Sequence, residues 1–122
     1  YGVGLIPYSP LAGGVLAGVL RGEKGERRQS DRARPRIEAH KSKLELWEKF
    51  CAEFAEEPAT VALSWLLHQE GVTAPIVGPR TLSQLTGSPL RAHQLNLDSS
   101  SLAQLDAIFP GPGGAAPEAY AW

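Results

Sequence analysis

The chain has 122 residues, of which 43% are hydrophobic and 20% charged, and its formal net charge is −1. So even a balance gives no reason to expect nucleic acid or a membrane surface as a partner. No apolar run reaches the about 18 residues of a spanning helix, and the solitary Cys51 excludes a disulfide framework and makes a reducing cytoplasm the expected compartment.

Residues 3–8, VGLIPY, are apolar on both alternating faces, which predicts a central parallel strand covered from both sides. Pro7 cannot donate to a ladder, so it belongs near the C-terminal end of that strand. SPLAGG at 9–14 then carries the chain out of the sheet. Residues 21–43 hold nine of the twelve Lys and Arg against four acidic residues and show no apolar periodicity. They predict a long, mobile, basic loop.

Leu44, Trp47, Phe50, Cys51 and Phe54 recur at helical spacing, with Glu45, Glu48, Lys49 and Glu53 between them as the polar face of an amphipathic helix. Pro58 stops it and suits the first turn of a second helix, where its missing N–H is not needed. Val61, Ala62, Trp65 and Leu66 form the buried stripe of that helix, and Gly71 is its expected C′ residue. VTAPIVG at 72–78 is a second apolar strand. Thr81 is placed to cap a helix beginning in PRTLSQL, and Asp98 or Ser99 to cap a last helix with the stripe Leu102, Leu105, Ile108 and Phe109. The tail, 110–122, is irregular and rich in Pro and Gly.

Strands alternating with helices predict an α/β fold with a parallel sheet and right-handed crossovers. Two strands leave both sheet edges open. The chain also contains no Met and starts at Tyr1. Together these features predict the C-terminal portion of one larger domain.

In parallel α/β folds ligands sit at the C-terminal ends of the strands. Gly13 and Gly14 lack Cβ atoms and would let a phosphate approach backbone N–H groups. Arg80, where a helix begins, would add a guanidinium to free N–H donors and the positive dipole end. The alternative on these residues is that the glycines only turn the chain and Arg80 is solvated. His40, His68 and His93 lack metal-ligand spacing and read as solvated or capping residues. Cys51 shares a stripe with Trp47 and Phe54 and reads as a core thiol. Neither G-x-G-x-x-G nor a Walker motif occurs.

Three stretches, GLIPYSPLAGGVLAG, PATVALSWLL and APIVGPRTLSQL, resemble in order and spacing the seventh strand, seventh helix and eighth strand of the aldo-keto reductases. The resemblance covers nearly the whole chain. It implies the C-terminal part of a (β/α)8 TIM barrel that binds NADP(H) across its C-terminal face and transfers hydride to an aldehyde or ketone, a small-molecule carbonyl substrate. It further implies that Tyr8 stacks on the nicotinamide and that Ser9, Pro10, Leu11, Gly13 and Gly14 line the ribose and pyrophosphate. Gly78, Arg80 and Gln84 would surround the adenosine end, with Arg80 on the 2′-phosphate.

Ser88 stands where the family usually has an adenine-contacting Asn. Val19 stands where a Lys is common, which either weakens pyrophosphate binding or passes that role to the basic loop. The family's Asp, Tyr, Lys and His tetrad belongs to earlier strands and has no counterpart here, so no catalytic residue and no metal ligand is assigned. The basic loop matches the segment that folds over cofactor in some members. The tail, with Tyr120 and Trp122, either lines the substrate mouth or covers the barrel wall. A non-catalytic NADP(H) sensor, like the channel-associated β subunits that share the barrel, is the alternative function. Nothing in the sequence sets an oligomeric state.

Overall fold

Two extended segments and six α-helices make up residues 2–21 and 33–111, the part of the chain described in the computed structural model. The extended segments coincide with the two expected strands and run parallel, with Leu5 bridged to Val72. Leu5 N donates to Gly71 O at 2.7 Å and its carbonyl accepts from Thr73 N at 2.8 Å.

A regular parallel ladder would continue with Pro7 donating to Thr73 and residue 75 donating to Pro7. Both residues are proline, and both donors are missing. Ile76 N reaches Pro7 O instead, at 2.8 Å and one residue late. The expected strands are therefore corrected to a single bridge with an irregular continuation. Close approach is also built into the pair, because a Cβ on Gly4 would overlap the Thr73 side chain.

The helices are α1 (Arg34–Ala39), α2 (Lys41–Glu53), α3 (Pro58–Leu67), α4 (Leu82–Thr86), α5 (Ser88–Gln94) and α6 (Ser99–Ile108). Leu44, Trp47, Phe50 and Cys51 of α2 meet Val61 and Ala62 of α3, Leu105 of α6, and Val15, Val19 and Leu97 from the connections. Burying a side chain such as Leu44 completely contributes about 1.5–3 kcal/mol. Trp47 packs edge-on to Phe109, with ring centroids 6.3 Å apart, and its Nε1 donates to Leu16 O at 3.3 Å. The core is thus helical, and it also fastens the connection that follows the glycine pair.

Several sequence expectations are met where the signal is local. Pro58 does open α3, and Thr81 Oγ1 accepts from Gln84 N at 3.2 Å as the cap of α4. Asp98 caps α6 by accepting from Ser101 N at 2.8 Å.

Four further expectations are corrected. The run 3–8 is not covered from both sides among the described residues, for Val3, Leu5, Ile6 and Tyr8 are exposed. The segment 21–43 is not loop throughout, since its end forms α1 and the first turn of α2. Pro35 starts α1, and Ile37 anchors it on the core. Residues 22–32, and the tail beyond 111, lie outside the described part. Gly71 is not C′ of α3, because His68 ends that helix. The φ of +85° at Gly71 instead turns the chain into the second extended segment. Glu48, finally, is buried at 8% exposure rather than facing solvent.

His68 acts as a tie between elements. Its Nδ1 lies 2.8 Å from Ser64 O, and Leu97 N donates to its Nε2 at 3.3 Å. That pattern assigns the proton to Nδ1.

Candidate functional site

The parallel pairing sends both connections out from one edge. Because Ile76 N bonds Pro7 O, Tyr8 and Ser9 leave the pair beside Val77 and Gly78. The two groups of residues singled out from the sequence are thereby brought to the same end of the pair, although they lie far apart along the chain.

The first connection is a turn held in left-handed backbone. Ser9 has φ +52°, Ala12 +50°, Gly13 +71° and Gly14 +95°. The conformation is uncommon for residues with a Cβ, so Ser9 and Ala12 carry local strain of about 1–3 kcal/mol each. Hydrogen bonds within the turn oppose it. Ala12 N donates to Ser9 O at 2.9 Å, and Gly14 N to Leu11 O at 2.8 Å. The Gly14 N–H is thus spent inside the turn. What the glycine pair offers an approaching group is the absence of Cβ atoms on an exposed or half-buried backbone. The Tyr8 ring beside it is 72% exposed and presents a flat face.

A strap then ties this turn to α2. Leu20 N donates to Glu48 Oε1 at 2.7 Å, and Arg21 Nη2 donates to Glu48 O at 3.2 Å. The Arg21 guanidinium stands 3.8 Å from the second carboxylate oxygen. Glu48 therefore holds the far end of the connection that contains Gly13 and Gly14. Its role was readable: positions 44, 48 and 51 fall on one helical stripe. Arg36 was not singled out from the sequence either, and its Nη1 lies 3.8 Å from where a Cβ on Gly13 would sit.

At the second connection, Gly78, Arg80 and Gln84 are exposed, and Ser88 is half-buried at the start of α5. Arg80 N donates to Gln84 Oε1 at 2.8 Å while Gln84 N donates to Thr81. These two bonds, a variant of the capping box with Arg80 N in place of the cap residue's own N–H, fix Gln84 over the first turn. α4 is only five residues long, so its dipole adds little, and the Arg80 side chain supplies the positive charge. Among the described residues no group of His, Cys, Asp and Glu could hold a metal, and no helix is long and apolar enough to cross a membrane. Burial pushes the Cys51 thiol up to about 12, which fits a core residue rather than a nucleophile.

The profile of the Aldo/keto reductase family matches residues 1–109. The chain belongs to that family. It is 46% identical over 121 residues to an uncharacterized oxidoreductase, YrpG, of Bacillus subtilis, covering 99% of this chain and 36% of that protein. It is 33% identical over 114 residues to L-glyceraldehyde 3-phosphate reductase of Escherichia coli O157:H7, covering 86% of this chain and 33% of the other. The same identity, over 89% of this chain and 33% of the relative, relates it to a probable aldo-keto reductase 1 of Glycine max. The chain thus spans about a third of the length of the curated relatives it matches.

Proposed function

We propose that this chain is the cofactor-binding C-terminal portion of an NADPH-dependent oxidoreductase, built as a (β/α)8 barrel, that reduces an aldehyde or ketone in the cytoplasm. The observation that carries the reading is the common edge: one parallel pair delivers both the Tyr8–Gly14 connection and the Gly78–Gln84 connection to the same end. A dinucleotide is long and carries an aromatic ring at one end, phosphates in the middle and a nucleoside at the other. An exposed phenol ring, a backbone without Cβ atoms and a guanidinium fit those three parts in turn.

Tyr8 would lie against the nicotinamide, while Ser9, Pro10, Leu11, Gly13 and Gly14 would face the ribose and pyrophosphate. Gly78, Arg80, Gln84 and Ser88 would face the adenosine end. When bound, NADPH supplies the hydride for the reduction. The chain's own residues bind and orient it, and the proton donor comes from a tyrosine outside the matched segments.

Arg80 tests the reading. A guanidinium can donate two parallel charge-assisted bonds to a 2′-phosphate, whereas the 2′-hydroxyl of NADH offers no anion. In the full-length protein, Arg80→Ala should raise the NADPH dissociation constant about tenfold and leave that of NADH nearly unchanged. Fluorescence titration with both cofactors measures the ratio. Equal losses for both would mean that Arg80 supports the loop rather than reading the phosphate.

A further inference from the structure

A cavity of roughly 390 Å³ opens between α1, α2, α3, α6 and the connection after Pro10. Its volume falls in the range of small-molecule sites, about 300–1,000 Å³. Leu44, Trp47, Trp65, Leu66 and Phe109 form its walls. The one polar atom of the Trp47 side chain is spent on Leu16 O, so Trp47 offers the cavity ring surface.

Charge enters this lining from one side. Arg36 borders the cavity and His40 stands one helical turn beyond, while no Asp or Glu among the described residues lines it. Arg36 is exposed, its side chain makes no ion pair or hydrogen bond among the described residues, and its Nη1 lies beside Gly13. An apolar chamber with a guanidinium at its rim complements a ligand with a flat apolar body and a single anionic head. Arg suits a carboxylate there because its fork can donate two parallel bonds.

We propose that this cavity binds an aromatic monocarboxylate, its ring between Trp47 and Trp65 and its carboxylate on Arg36. Pro10 and Ala12 line the cavity whereas Tyr8, Gly78 and Arg80 do not, so the site adjoins the Tyr8–Gly14 connection, and its argument does not rest on the cofactor-binding reading.

Isothermal titration calorimetry of the full-length protein without added cofactor tests it, with 2-naphthylacetate and its neutral amide, 2-naphthylacetamide, as probes. The acid should bind about tenfold more tightly than the amide, a difference of about 1.4 kcal/mol. Arg36→Gln, a change at an exposed position, should remove that difference and leave the amide unchanged. Leu66→Trp, which fills the chamber, should weaken both ligands about tenfold or more. Equal affinities for acid and amide would overturn the proposal, as would a preference that survives Arg36→Gln. Absence of binding by either probe would mean that another part of the chain fills the cavity, and would overturn it too.

Discussion

Replacing Glu48 by Ala removes the strap between the glycine turn and α2. The carboxylate accepts one short hydrogen bond, 2.7 Å from Leu20 N, and its side chain is only 9% exposed. A hydrogen bond to a charged group contributes about 1.5–3 kcal/mol. The Arg21 contact is longer, 3.8 Å, and the Arg21 side chain is 36% exposed, so solvent screens it and it adds about 0.2–1 kcal/mol at most. The two share one carboxylate and do not simply add. Glu48→Ala should therefore destabilise the protein by about 2–3 kcal/mol. Glu48→Gln keeps an acceptor for Leu20 N and should cost about 1 kcal/mol. Urea unfolding of the full-length protein reads both values. With a slope of roughly 1–3 kcal/mol per M, the midpoint of Glu48→Ala should fall by about 0.7–3 M at constant slope. Two variants within about 0.5 kcal/mol of the parent would refute the reasoning, because that is the size of an ordinary surface change.

Gly4→Ala should destabilise the parallel pair by forcing its new methyl against Thr73, and Thr73→Ala should rescue it; thermal melts of the two single variants and the double variant would give the coupling. Cys51, buried and with its thiol pushed up to about 12, should resist iodoacetamide at pH 8 until the protein is unfolded, which mass spectrometry would detect. Hydrogen bonds from Ser101 hold the Asp98 carboxyl below its ordinary 3.8. A depressed folded-state value means stability that is present above the unfolded value and lost as pH falls through the folded one. Asp98→Asn should therefore flatten the acid limb of a stability-against-pH curve below about pH 4.

The helices were legible because their signals are short-range. Leu44, Trp47, Phe50 and Cys51 repeat at the period of the helix, Pro58 can occupy only a first turn, and Thr81 and Asp98 satisfy N–H groups three residues away. The common end of the two connections was legible for a related reason, since two segments of one direction must release their connections at one end. The ladder itself was not. That Pro7 and Pro75 delete donors at the same level becomes visible only once Leu5 is known to pair with Val72. The state of the Gly14 N–H was hidden too, because it depends on Ser9 and Ala12 adopting left-handed backbone that their side chains disfavour. Glu48 was misread by residue type, although its spacing from Leu44 placed it inward. α1 escaped notice because one apolar residue, Ile37, anchors it within a run of charges.

The paired prolines have a consequence beyond the register of the pair. Residues 3–8 and 72–78 are short, apolar and free of charge, the composition of segments that stack into cross-β assemblies when exposed. Val3, Leu5, Ile6 and Ile76 are indeed exposed on the described surface. A stack of identical strands needs every backbone donor along its length, and each of these segments lacks one in its interior or near its end. Pro7 and Pro75 thus act as gatekeepers: they permit the single native bridge at Leu5 and deny either segment an unbroken edge on which further copies could grow.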